Sequence, residues 1–493
     1  MFMASRNLNH PVKLLRSLPY HSRRLKRTAP PPTPKINLIA KPAAKPIAAP
    51  TEPPVNLDDP KELFSSFSTT KLIKSAVTLQ MASMESVVEL GSTVINSRLM
   101  NSPISKKVVL ESIEHTFYDH FCGGKNLGEA DKTVKRLWDS GLRAMLDYGL
   151  EHAIDNCACD RNSDEFVQTI ESTKFLGACP VSFVVIKITA ICPPNLLGRL
   201  SDLLRWAHRD KSLHLPWKLE TLPIFADSSP TYHTLKKPDP LTPDEEHDLE
   251  LAYNRLTKIC KHSSEAKVPL LIDAEDTSIQ PAIDYFTYSS AIKYRSDESP
   301  LIFNTIQAYL KDAKDRLVIA KKAADEMGVP VGFKLVRGAY MTSERRIATC
   351  LGVKSPIHDT IQDTHACFND CAAFMLEEIA RGSGSVVLAT HNLESGKLAA
   401  AKAVDLGIKK ENNNLQFAQL YGMAEALSFG LRNAGFKVSK YLPFGPVEQV
   451  IPYLLRRAEE NKGLLSTSSL DRQLMREGDI EEIKILKMCE VSD

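Results

Sequence analysis

The residues best equipped to act on a small anion are two adjacent arginines in the stretch YLLRRAEENKG at 453–463. Arg456 and Arg457 each offer a planar fork of N–H donors, the geometry that grips a carboxylate or phosphate through paired bonds. On a helix, neighbours point about 100° apart, so the two cannot share a face, whereas Glu460 lies three and four positions ahead and can brace either. The plain alternative is a solvated face of weak ion pairs. What decides between them is where the preceding elements put this helix.

Those elements are legible as eight short apolar runs separated by helical segments: MLDYGLE (145–151), FVVIKIT (183–189), LLIDAE (270–275), IFNTIQAY (302–309), FKLVRGAY (333–340), VVLATHN (386–392), LQFAQLYG (415–422) and VSKYLPFG (438–445). Near-continuous apolar character marks strands covered on both faces. Eight of them with crossover helices predict an α/β chain folded as a distorted (β/α)8 TIM-type barrel with an N-terminal helical arm. Chemistry in such a barrel is built at the C-terminal ends of the strands. Here those ends carry Lys187, Asp273, Glu275, Gln307, Arg337, Tyr340, Thr390, His391, Asn392 and Tyr441. The helix with the two arginines directly follows the eighth run, so its cations reach the mouth and imply a carboxylate or phosphate ligand.

Charge is unevenly spread. Of the 62 Lys and Arg, ten fall in residues 1–50, where there is no acid; the rest of the chain holds 52 against 60 acidic side chains. An Arg-rich, acid-free leader followed by a Pro/Ala-rich linker predicts a mitochondrial transit peptide over 1–55. A basic tail for nucleic acid is the weaker alternative, and no nucleic-acid partner is expected. Residues 56–142 read as the helical arm, 143–463 as the barrel with an insertion near 199–248, and 464–493 as a C-terminal tail. No apolar run reaches the length that spans a bilayer. The ten cysteines lack paired CxxC motifs; Cys157-x-Cys159 and His365-x-Cys367-xxx-Cys371 come nearest to ligand spacing, and no metal site is expected.

The motifs KLVRGAY, LATHN, YLPFG and LLRRAEEN, in that order and with fifteen positions from Tyr441 to Arg456, resemble the proline dehydrogenase family in its eukaryotic mitochondrial form, most like the plant members; the resemblance runs from about 143 to 463. It implies a barrel that binds FAD without a Rossmann fingerprint; GSGS at 382–385 precedes a strand and opens no helix. The implied reaction is oxidation of L-proline to 1-pyrroline-5-carboxylate, the first step of proline catabolism, with hydride passing to the flavin and electrons to a membrane quinone of the respiratory chain. The implied place is the matrix side of the inner mitochondrial membrane, peripherally attached.

By the same resemblance, the flavin contacts fall on Gln307, Lys334, Arg337, Gly338, Ala339, Tyr340, Thr390, His391 and Asn392. The substrate carboxylate falls to Arg456 and Arg457, with Lys187 as a third cation and Glu460 as the brace. Asp273, Lys334 and Tyr441 are the expected catalytic set, Asp273 fixing its neighbours or handling a proton. Many bacterial members carry Arg at the position of Lys334, Lys at that of Arg337 and Glu at that of Gln416, which marks this chain as a eukaryotic subtype. Two other readings compete with this one. Hydroxyproline oxidation on the same scaffold is opposed by the bulk of Tyr441, and a Schiff-base aldolase would use Lys187 or Lys334.

Overall fold

The computed structural model describes residues 54–177, 180–296, 299–463, 470–475 and 477. The leader and almost all of the linker, most of the tail, and the side chain of Glu460 lie outside the described residues, and with them the transit-peptide expectation and the Glu460 brace.

Eight parallel strands close on themselves in sequence order: β1 (Arg143–Tyr148), β2 (Val181–Ile186), β3 (Leu270–Ile272), β4 (Ile302–Gln307), β5 (Gly332–Val336), β6 (Ser385–Ala389), β7 (Leu415–Leu420) and β8 (Val438–Phe444). Closure is made by β1 against β8, with Met145 opposite Tyr441 and Asp147 opposite Pro443. The interior is filled by Met145, Phe183, Val185, Leu271, Phe303, Val387 and Ala418, with Tyr441 packed on top of them. Phe183 and Phe303 meet edge to face at 4.7 Å. A Cβ on Gly332 would lie 2.2 Å from the Phe303 ring, so β5 must open on glycine for that ring to fit. Most strands stop short of the apolar runs that announce them: β3 ends at Ile272, which leaves Asp273 and Glu275 on the loop beyond.

The arm is less uniform than its periodicity suggests. The run through LIKSAVTLQMASMESVVELGSTVI divides into helices Thr69–Ser83 and Glu85–Ile95, with Met84 extended between them (φ −87°, ψ 113°). Helix Pro103–Ile113 continues through a π turn into the stretch that seals the arm onto the barrel. There Tyr118 OH donates to the Gly445 carbonyl at 2.7 Å, Gly123 N–H to Pro443 O at 2.7 Å, and Gly445 N–H to Gly124 O at 2.9 Å. The three arm helices also pack against helix Val447–Gly463, the one bearing the two arginines.

Between β2 and β3 the irregular connection occupies 210–242. Residues 199–209 belong to helix Pro194–Arg209, and 243–248 to helix Pro243–Ala266, which starts with a reciprocal cap between Thr242 and Glu245. In the tail, the buried carboxylate of Asp471 accepts from Glu425 N–H and Ala426 N–H, each at 3.0 Å, and so caps helix Glu425–Asn433.

Candidate active site

Three side chains from three strands converge on Asp273: Lys187 just past β2, Lys334 within β5 and Tyr441 within β8. Lys334 Nζ is 2.5 Å from Oδ1, Tyr441 OH donates to Oδ2 at 2.7 Å, and Lys187 Nζ stands 3.4 Å from Oδ2. Lys187 also donates to Asp147 Oδ1 at 2.7 Å and to the Tyr441 hydroxyl at 3.0 Å. Both lysines are buried and lie within 6 Å of the Tyr441 ring, at 5.7 and 5.5 Å from its centroid. Burial pushes the Asp273 carboxyl up, but Lys334 and Lys187 overcome it and hold the group at about 2. Burial likewise pulls on the Lys187 ammonium, and Asp147, Asp273 and Glu151 outweigh it and raise its pKa. A lysine held protonated by three carboxylates is a poor nucleophile, which disfavours Lys187 for Schiff-base chemistry.

The helix following β8 delivers its arginines to different surroundings. Arg456 faces the turn after β1, where Nη1 donates to Glu151 Oε2 at 3.0 Å and Nη2 pairs with Oε1. Burial would raise the Glu151 carboxyl, yet Lys187 and Arg456 together keep it below its ordinary value. Arg457 is buried with its guanidinium 4.9 Å from the Tyr453 ring centroid, and its charge reaches His391. Asp147 and Glu151 thus belong to the mouth although sequence reasoning did not single them out. The available signal was an acid at each of two places in the otherwise apolar run MLDYGLE.

A second arc lies along β4, β5 and β6. Gln307 ends β4 and donates through Nε2 to the Glu275 carbonyl at 2.7 Å. After β5 the chain turns through Gly338 (φ +118°), where a Cβ would meet the Tyr309 ring at 2.3 Å, so only glycine serves. Arg337 is fixed by three partners: Nε to His365 Nδ1 at 3.0 Å, Nη1 to Thr390 Oγ1 and Nη2 to Ser395 Oγ, both at 2.5 Å. Burial brings its pKa down to about 10. Ala339 is exposed, and Tyr340 is half-buried with its hydroxyl pKa raised, first by burial and then by Glu275 and Glu151. His391 Nε2 accepts from Leu420 N–H at 3.1 Å, which puts its proton on Nδ1; burial lowers its pKa to about 3. Asn392 caps helix Leu393–Asp405 by accepting from Ser395 N–H at 2.8 Å. Gln416, by contrast, points into the barrel and bonds Ser439, away from these groups.

Glu275 is the remaining ionisable group at the mouth. It accepts from Thr189 Oγ1, and burial lifts its pKa to about 7.

A closed parallel α/β barrel with buried lysines and carboxylates gathered toward one mouth has the architecture of an enzyme barrel. The family profile described as proline dehydrogenase matches residues 130–470. Proline dehydrogenase 2, mitochondrial, from Arabidopsis thaliana is 54% identical over 430 residues, covering 86% of this chain and 90% of that protein. Proline dehydrogenase 1, mitochondrial, from Homo sapiens is 26% identical over 542 residues, covering 86% and 89%. Hydroxyproline dehydrogenase from Bos taurus is 30% identical over 395 residues, covering 77% and 83%. Among solved structures, proline utilization A from Bdellovibrio bacteriovorus superposes with a TM-score of 0.58 at 19% identity. That match covers 82% of this chain but 38% of the longer bacterial chain, and it speaks to the fold alone. The chain belongs to the proline dehydrogenase family, a family of oxidoreductases.

Proposed function

We propose that this chain oxidises L-proline to 1-pyrroline-5-carboxylate in mitochondria, using FAD held along the ends of β4, β5 and β6 and passing electrons to a membrane quinone from a peripheral position on the matrix side of the inner membrane. The convergence of Lys187, Lys334 and Tyr441 on Asp273 carries the reading. The arc from Gln307 to Asn392 fits a flavin cofactor on two observations: the turn at Gly338 admits no side chain, and Arg337 is clamped rigid by His365, Thr390 and Ser395. Bound there, FAD supplies the hydride acceptor that no side chain can provide.

The chain's own residues bind, orient and hold charge. Arg456, Arg457 and Lys187 supply the cations that a desolvated carboxylate requires. Asp273, kept ionised by two lysines and engaged at both oxygens, fixes Lys187, Lys334 and the Tyr441 hydroxyl. Tyr441, packed on the barrel core, limits the space over the substrate ring and so disfavours a ring hydroxyl.

The test is the absorbance spectrum of the purified protein. A flavin spectrum that bleaches on anaerobic addition of proline supports the reading. A protein without flavin, or one whose flavin stays oxidised with proline, defeats it.

A further inference from the structure

We infer that the tip of the N-terminal arm, residues 90–108, is a docking surface for an anionic lipid bilayer. This rests on the proposed transfer of electrons to a membrane quinone and names the surface through which the enzyme would approach the bilayer.

The first observation is the placement of exposed apolar side chains. Seven of the seventeen large hydrophobic residues that are exposed in the described structure lie between Ile73 and Val108, so the arm carries far more than its share. Four lie at the tip: Ile104 is 80% exposed, Leu90 64%, Val108 58% and Leu99 49%. Clustered exposure of this kind marks an interaction surface, whereas scattered single residues need no account. These residues sit on successive elements packed on one another: helix Glu85–Ile95, the 3-10 turn Arg98–Asn101 and helix Pro103–Ile113.

The second observation is charge. Between Glu89 and Glu111 the sequence has no acid and three bases, Arg98, Lys106 and Lys107; Lys106 pairs with Glu448 and Lys107 with Glu111 at the base of the tip, both pairs exposed enough to be exchanged for lipid headgroups. The chain after residue 50 is acidic on balance, with 60 acids against 52 bases, so an anionic surface would repel most of it and attract this tip. Apolar side chains rimmed by cations are what an interfacial, non-spanning segment offers to lipid headgroups and the upper acyl region. No described helix is long and apolar enough to cross a membrane.

The third observation is position. Helix Pro103–Ile113 packs on helix Val447–Gly463, and Lys106 pairs with Glu448 near the start of that helix at 2.7 Å. The same helix carries Arg456 and Arg457 at the mouth. Docking through this tip therefore sets the wall of the active site against the bilayer, where a quinone resides.

The experiment uses the flavin-loaded full chain and vesicles of zwitterionic phospholipid with or without anionic phospholipid. Because the basic leader can bind anionic vesicles by itself, a local reporter is needed. In Ile104→Trp the new indole should be quenched by brominated lipid in anionic vesicles, beyond the quenching of the native tryptophans in the unaltered chain. In the double variant Ile104→Glu, Val108→Glu, quinone reduction in the bilayer should fall at least about tenfold, while proline oxidation with a soluble dye is unchanged. Vesicle-bound Ile104→Trp with no added quenching, or a double variant with unaltered quinone reduction, overturns the inference. So does a double variant whose only change is from dimer to monomer on gel filtration, which would assign the tip to a second copy of this chain. Loss of dye-linked oxidation in the unaltered protein would instead defeat the functional reading itself.

Discussion

The guanidinium of Arg456 lies against the carboxylate of Glu151 as a two-pronged ion pair, joining the helix after β8 to the turn after β1. Both oxygens and both terminal nitrogens are engaged, so the pair occupies the fork that a substrate carboxylate would use.

Glu151 therefore competes with the ligand. In Glu151→Gln, a proline analogue with oxygen in place of the ring nitrogen should bind about two- to fivefold more tightly, as expected when a partly exposed ion pair no longer has to be exchanged. Titration of the flavin spectrum measures it. Weaker binding would make Glu151 a brace for the arginine.

Asp273 joins two buried cations and a phenol, and its removal leaves those cations facing each other. Asp273→Asn should cost about 3–5 kcal/mol of stability, the range for one partner lost from a buried ionic group. The pH dependence has a definite sign. With the folded pKa at about 2 and the unfolded value near 3.9, the carboxylate stabilises the fold above about pH 4 and loses that contribution as pH falls through 2. Acid unfolding of the Asn variant should lack this component.

Glu275 runs the other way. Its folded pKa of about 7 exceeds the ordinary value, so the native state binds the extra proton and stability declines as pH rises from about 4.5 to 7. Relative to Glu275→Gln, the unaltered protein should therefore lose melting temperature between pH 5 and pH 8. A constant difference across that range would mean that Glu275 titrates normally.

Tyr441 touches both Lys187 and Asp273 through its hydroxyl and roofs the barrel core with its ring. Tyr441→Ser should raise the ratio of hydroxyproline to proline use, by no more than the few kcal/mol that pocket reshaping commands. The ratio of kcat/KM values decides; an unchanged ratio puts the ring outside the substrate pocket.

The barrel was legible because its strands are covered on both faces, so that several read as nearly continuous apolar runs with polar residues gathered at the far end. The pairings across the mouth were not. Lys187 with Asp147, and Arg456 with Glu151, join residues 40 and 305 positions apart, and only closure of β8 on β1 brings the latter together. Helical spacing puts Glu460 three and four positions ahead of the two arginines as their brace, and its side chain lies outside the described residues; the Glu151 partner of Arg456 comes from the far side of the barrel seam, where helical spacing gives no signal. Nor does any local pattern mark Asp471 as the cap of a helix that begins 46 residues earlier. The break at Met84 is equally silent, since the apolar period runs through it.

The most direct test of the account is kcat/KM for proline in flavin-replete Arg456→Met. Arg456 is partly exposed and stands outside the barrel core, so fold and flavin content should survive the change. Loss of a partner from a desolvated carboxylate predicts a fall of about 2–5 kcal/mol, roughly 30-fold to several-thousand-fold. A value within about fivefold of the unaltered enzyme, the size of an exposed surface pair, would contradict the claim that this helix grips the substrate.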